Sequence, residues 1–220
     1  MEVKRHVISP FVRPVRRVVA GVACAVLLTG FAGCTADSEG PSSSPLPNAS
    51  TGAVPTLAAK PVPMQVRVTQ VSGKLKKARQ VSLERQIGRT ISAYFDAAYL
   101  GGEYPRSDFG NSFATFSEGA AQQARRDRGL LTNAGLGKST EAVVPKHKDA
   151  RLSVLAPKLV AAGVTARIRL VFVADSDEAQ DTRVTISGRL LLTRMKSGRW
   201  HIFGYHVARS AVPAGKGASR

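Results

Sequence analysis

The sequence predicts an α+β domain in which N-terminal helices pack on a curved antiparallel sheet of three to four long strands. Two observations carry this. Between residues 83 and 98 the apolar side chains recur every three to four positions, whereas beyond residue 150 they alternate; these are the periods of a helix and of a strand that each bury one face. The helical part precedes the alternating part, which reads as consecutive hairpins, an order that belongs to α+β chains. Residues 64–210 share this composition, a stretch of about 150 residues that suits one domain and buries roughly two-thirds of its surface on folding.

Residues 64–71 place Val66, Val68 and Val71 in a short leading strand or extended segment, and Lys74, Lys76, Lys77 and Arg79 follow as a basic turn. Leu83, Ile87, Ile91, Phe95 and Ala98 then line one face of a helix that Gly101-Gly102 stops. Phe109, Phe113 and Phe116 share the helical spacing and predict a short second helix over residues 108–116. Ser117 stands where it can cap a third, over residues 118–131. After the glycines of residues 133–137 the period changes. Leu152, Val154 and Ala156 form a short strand, and residues 164–172 a long one with Val164, Ala166, Ile168, Leu170 and Phe172 inward and Thr165, Arg167 and Arg169 outward. An acidic loop of residues 175–178 leads to a strand carrying Val184, Ile186, Leu190 and Leu192 on one face, and the turn at residues 196–199 returns the chain as a last strand over residues 200–208. Residues 211–220 read as a flexible basic tail.

Outside the domain the composition changes twice. Lys4, Arg5, Arg13, Arg16 and Arg17 precede an uncharged apolar run at residues 18–28, and small residues follow up to Cys34. This is the basic, apolar and small-residue order of an export signal, and it is short of the roughly 20 apolar residues that span a ~30 Å hydrocarbon core. Residues 35–63 hold six of the twelve prolines with many serines. Such a segment buries too little apolar surface to offset its ordering entropy; as a coil of 29 residues it is a tether with a span of about 30 Å. Ala32-Gly33-Cys34, with Phe31 where leucine is usual, resembles the lipobox of bacterial lipoproteins. The resemblance implies cleavage between Gly33 and Cys34, a thioether diacylglycerol on Cys34, and a lipid-anchored protein on the extracytoplasmic face of the cell membrane. The export route, general secretory or twin-arginine, stays open.

The cysteines exclude a class of chemistry. By the lipobox resemblance Cys24 leaves with the signal and Cys34 is capped, which implies that no disulfide, thiol nucleophile or thiolate metal site remains. His147, His201 and His206 have no metal-ligand spacing, and Gly135-Leu136-Gly137-Lys138-Ser139 lacks the earlier glycine of a phosphate-binding loop, Thr132 standing there instead. No metal and no cofactor is expected. Residues 1–33 carry five of the 32 basic and one of the 15 acidic residues, which leaves 27 against 14 and a charge of +13. For an exported domain this charge points away from nucleic acid and toward anionic lipid headgroups or wall polymers. Arg125, Arg126 and Arg128 on a helix, and Arg167 with Arg169 on a strand's outer face, are the candidate basic patch. Arginine outnumbers lysine by 21 to 11, an actinomycete-like bias of GC-rich coding that also scatters positive charge.

The stretch of residues 150–208, ending in Gly198-Arg199-Trp200-His201-Ile202-Phe203-Gly204-Tyr205-His206-Val207, resembles the NTF2-like superfamily, a cone of N-terminal helices and long hairpins. The superfamily includes isomerases, dehydratases, cyclases and many non-catalytic envelope proteins, so the fold does not choose a function. Its catalytic members set an acid or base against a tyrosine across a cavity, which makes Tyr94, Phe95, Trp200 and His206 the candidate cavity residues, His206 and Trp200 being expected on one face of the last strand. Three readings stand open: a non-catalytic module that binds an envelope protein or an anionic surface, a carrier or sensor of a small apolar ligand, and a cavity isomerase or dehydratase. The resemblance also implies a homodimer through the outer sheet face.

Overall fold

A computed structural model describes residues 62–176 and 180–215. The architecture is α+β: one five-stranded sheet in the order β1-β2-β3-β4-β5, with the helices layered on one face. Strand β1 (Gln65–Gly73) leads into helix α1 (Lys77–Phe95), which widens into a π turn at Asp96–Leu100. Then come the short helices α2 (Glu118–Arg126) and α3 (Arg128–Leu131), and the long strands β2 (Ala142–Ala156), β3 (Gly163–Asp175), β4 (Thr182–Arg194) and β5 (Trp200–Pro213).

The sheet is mixed and not wholly antiparallel. β2 to β5 form three antiparallel pairs, but β1 lies parallel to β2, from Gln65↔Asp149 to Gly73↔Ala156. The helical segment between β1 and β2 makes the crossover that a parallel pair requires. Strand β2 is far longer than the expected residues 152–156. Its first half carries Pro145, Lys146, His147 and Lys148 and a register shift between Pro145 and His147, so the apolar alternation is interrupted although the ladder continues.

Two helices come out differently from their spacing. Over residues 108–116 only a 3₁₀ turn forms, Gly110–Phe113. The Asp108 side chain accepts the N–H of Gly110 at 2.7 Å, a local bond that competes with a helix, and the phenylalanines pack as rings, Phe113 and Phe116 edge to face at 5.3 Å. The third helix is divided at Asp127, whose φ of −92° and ψ of 19° leave the helical region. Ser117 precedes α2 without a side-chain capping bond; its N–H donates instead to Ile202 O at 2.8 Å, and with Ile202 N–H donating to Thr115 O at 3.0 Å it joins residues 115–117 to the start of β5. At the other end β5 continues to Pro213, and Ala214 is buried with its N–H on Asp181 O. Residues 211–214 thus belong to the domain and not to a tail.

Leu83, Ile87, Ile91, Tyr94 and Phe95 of α1 bury against the inward residues of the sheet, Leu152, Ile168, Leu170, Ile186 and Leu190 among them. Removing this apolar surface from water is the main stabilising term, about 1.5–3 kcal/mol for each large side chain fully buried.

Candidate functional site: a filled interior and a basic outer face

Around Tyr94 the space between helices and sheet is occupied by aromatic rings, whereas beside Trp200 two clefts of about 420 and 300 Å³ open between α1 and the sheet, with Gln86 lining both. Tyr94 meets Phe116 edge to face at 5.1 Å and Tyr99 at 5.8 Å, and Tyr99 packs on Phe172 of β3 at 6.1 Å. The phenol groups are committed to the protein. Tyr94 Oη donates to Leu131 O at 3.0 Å and lies 3.2 Å from Tyr99 Oη; Tyr99 Oη donates to Leu130 O at 3.1 Å. Burial, with the neighbouring Tyr99 adding to it, holds the Tyr94 phenol well above its ordinary value, and burial raises Tyr99 likewise. Both stay protonated and neutral, as polar anchors of a packed core.

The four residues expected around a cavity fall on two sides of the sheet. Tyr94 and Phe95 are fully buried, and Trp200 is buried with its Nε1–H on Gln86 Oε1 at 3.2 Å. His206 is exposed on the opposite face. The cause is a register shift in β5: Leu192 pairs with Ile202 but Leu191 with Gly204, so Phe203 has no partner opposite it. Such a bulge changes which residues point inward beyond it. Trp200 and Ile202 face the helices before it; Tyr205, Val207 and Arg209 face them after it, and His206 is turned out. The expectation that Trp200 and His206 share a face is reversed by this one residue.

The inward-turned Tyr205 and Arg209 tie β5 to the broken helix. Tyr205 Oη donates to Asp127 Oδ2 at 2.6 Å, and this bond, with a second from Gln123, holds the Asp127 carboxyl below its ordinary value. Arg209 donates to Thr132 O at 2.6 Å and to Asn133 Oδ1 at 3.0 Å. No sequence pattern marks Arg209, because only the bulge puts it inside.

The two expected basic clusters do not form one patch. Arg125, Arg126 and Arg128 are exposed on α2 and α3, in the helical layer, whereas Arg167 and Arg169 are exposed on the outer face of β3. The register adds residues that the sequence does not single out. Arg67 is opposite Arg151, Arg151 opposite Arg167, Arg167 opposite Arg189, and Arg189 opposite His206, so four arginines and a histidine form one row across all five strands. All five are exposed. Among the described residues none of the four arginines makes an ion pair; the single pair on this face is His147 Nε2 with Asp149 Oδ1 at 2.5 Å. A shallow groove of about 680 Å³ follows the row from Arg151 to His206.

Among the described residues no group of three or more His, Cys, Asp or Glu side chains is placed to hold a metal ion, and no helix is long and apolar enough to cross a membrane. Gly33 and Cys34, the expected cleavage and lipidation positions, lie outside the described residues. Comparison of the chain with protein-family models, with curated proteins and with solved structures returns no match.

Proposed function

We propose that the chain is a lipoprotein held by acylated Cys34 at the extracytoplasmic face of the cell membrane, and that its α+β domain, NTF2-like in plan, is a non-catalytic binding module of the envelope. The observation that carries the binding reading is the filled interior. Tyr94, Tyr99, Phe116 and Phe172 fill the space around Tyr94 with packed rings, and the phenol hydroxyls are bonded to backbone carbonyls. A cavity enzyme needs its acid and base on one wall-lined space, whereas Tyr94 and His206 stand on opposite faces of the sheet. The exposed surface then carries the interaction.

The test is metabolic labelling of the full chain with radiolabelled palmitate in a bacterial host, followed by native mass spectrometry of the purified product. Label on the wild type and none on Cys34→Ala, with no non-covalent ligand retained, is the expected result. Label persisting on Cys34→Ala would remove the anchor. A small apolar molecule bound in stoichiometric amount would replace the surface module with a carrier.

A further inference from the structure

We propose that the outer face of the sheet is a docking surface for an anionic phospholipid bilayer, with the arginine row set against headgroup phosphates and the apolar end of the same face entering the interface. This deepens the lipoprotein reading and rests on it.

The row itself is the first argument. Like charges directly opposite each other on neighbouring strands destabilise a sheet, and here Arg67, Arg151, Arg167 and Arg189 stand so three times in succession with no carboxylate ion-paired to any of them among the described residues. With strands about 4.8 Å apart, the row from Arg67 to His206 covers about 19 Å. A cationic line of that length on an open face fits a surface that offers many anions at once.

The second argument separates a bilayer from a soluble polyanion. Toward the hairpin end of the same face large apolar side chains stand among Ser153, Thr165 and Thr193: Leu155, Leu191 and the unpaired Phe203 are 53%, 36% and 49% exposed. Beyond them, Leu159 and Val160 in the β2–β3 connection and Met195 in the β4–β5 turn are exposed as well. Leu191 is two residues from Arg189, about 7 Å along the strand. Basic side chains at headgroup level beside apolar ones that enter the acyl boundary make an interfacial binding surface; a polyphosphate in water gains nothing from the leucines and the phenylalanine.

Chain length allows the contact and symmetry argues against the other occupant. Arg67 follows Cys34 by 33 residues, which reach at most about 110 Å, so a bilayer that holds Cys34 lies within range of the row. A second copy of the chain paired through this face would bring one arginine row toward another, which charge complementarity disfavours.

The experiment uses the full chain, with acylation of Cys34 read from its mass, and vesicles of phosphatidylcholine alone or with about one third phosphatidylglycerol. Binding to the neutral vesicles reports the anchor; the gain on the anionic ones reports the face. A chain that lacks the acyl mass and ignores neutral vesicles therefore refutes the anchor and leaves the face measurable. At about fivefold for each arginine, the combined variant Arg67→Gln, Arg151→Gln, Arg167→Gln and Arg189→Gln is expected to lower the anionic preference several hundredfold. The same four positions changed to Lys retain most of it, and salt near 1 M abolishes it. Leu159→Ser with Phe203→Ser is expected to weaken binding to anionic vesicles about tenfold and to leave any binding of soluble polyphosphate unchanged. An anionic preference that survives the four glutamines overturns the proposal. So does equal affinity for polyphosphate with no response to the apolar pair, which assigns the face to a soluble polyanion, and so does a dimer in sedimentation equilibrium that the glutamine variant alters.

Discussion

Gly188 of β4 occupies an inward position between Ile186 and Leu190, opposite Ile168 on one side and Val207 on the other, and its replacement by alanine is expected to be among the most damaging single changes in the domain. Its φ is +145°, and a Cβ built there would lie 2.1 Å from His206 O and 2.8 Å from Val207 Cα. Both atoms are backbone, so no side chain can rotate away. The strained backbone costs an L-residue about 1–3 kcal/mol. Opening the contact to ordinary separation moves β5 from β4 by about 1 Å and weakens one or two ladder hydrogen bonds, worth about 1 kcal/mol each. The sum is about 2–5 kcal/mol, or a melting temperature lower by about 5–20 °C for a domain of this size. Urea and thermal unfolding followed by circular dichroism measure it, with Gly119→Ala as the control: a Cβ at Gly119, in α2, meets nothing within 4 Å, and that change is expected to be neutral or stabilising by up to about 1 kcal/mol. A Gly188→Ala protein that melts within a degree or two of the wild type would refute the assigned strand geometry.

Titration of the buried tyrosines gives a pH dependence of definite sign. The folded phenols of Tyr94 and Tyr99 lie above the ordinary value of 10.0, so their contribution is complete below about pH 10 and falls as pH rises beyond it; alkaline unfolding detected by tyrosinate absorbance is expected, and tyrosinate that forms without loss of structure contradicts it. Asp127 behaves oppositely, since its folded carboxyl lies below the ordinary 3.8: its contribution is present above that value and is lost as pH falls through the depressed one. Tyr205→Phe removes the first cause of the shift and is expected to raise the Asp127 value, read from its carboxyl carbon by NMR titration. Arg167→Gln takes the central charge from the row and is expected to raise the urea midpoint at low salt, by an amount that shrinks toward zero in high salt; a lowered midpoint means that the row is not strained.

Much of the fold is legible along the chain because one-dimensional period reports one-sided burial. Leu83, Ile87 and Ile91 mark α1, and the alternations of residues 164–172 and 184–192 mark β3 and β4 together with their inward faces. The first half of β2 was not legible, since Pro145 to Lys148 are extended by pairing with β3 and not by apolar alternation. Phe109, Phe113 and Phe116 mislead for the complementary reason. Rings need to converge in space, and a 3₁₀ turn brings them together as well as a helix does.

The candidate surface divides in the same way. That Arg167 and Arg169 point outward follows from the sequence alone, because neighbours of buried Ile168 and Leu170 must face the other side of a strand. The alignment of Arg167 with Arg67, Arg151, Arg189 and His206 does not, since it depends on register between strands far apart in the chain. The bulge at Phe203 turns Tyr205 and Arg209 in and His206 out; no local pattern announces it, because an unpaired residue is defined only by the partner strand. Period and composition determined which residues β3 and β4 present to water. Tertiary pairing decided which of them stand together, because hydrogen-bond register joins residues that the chain itself keeps apart.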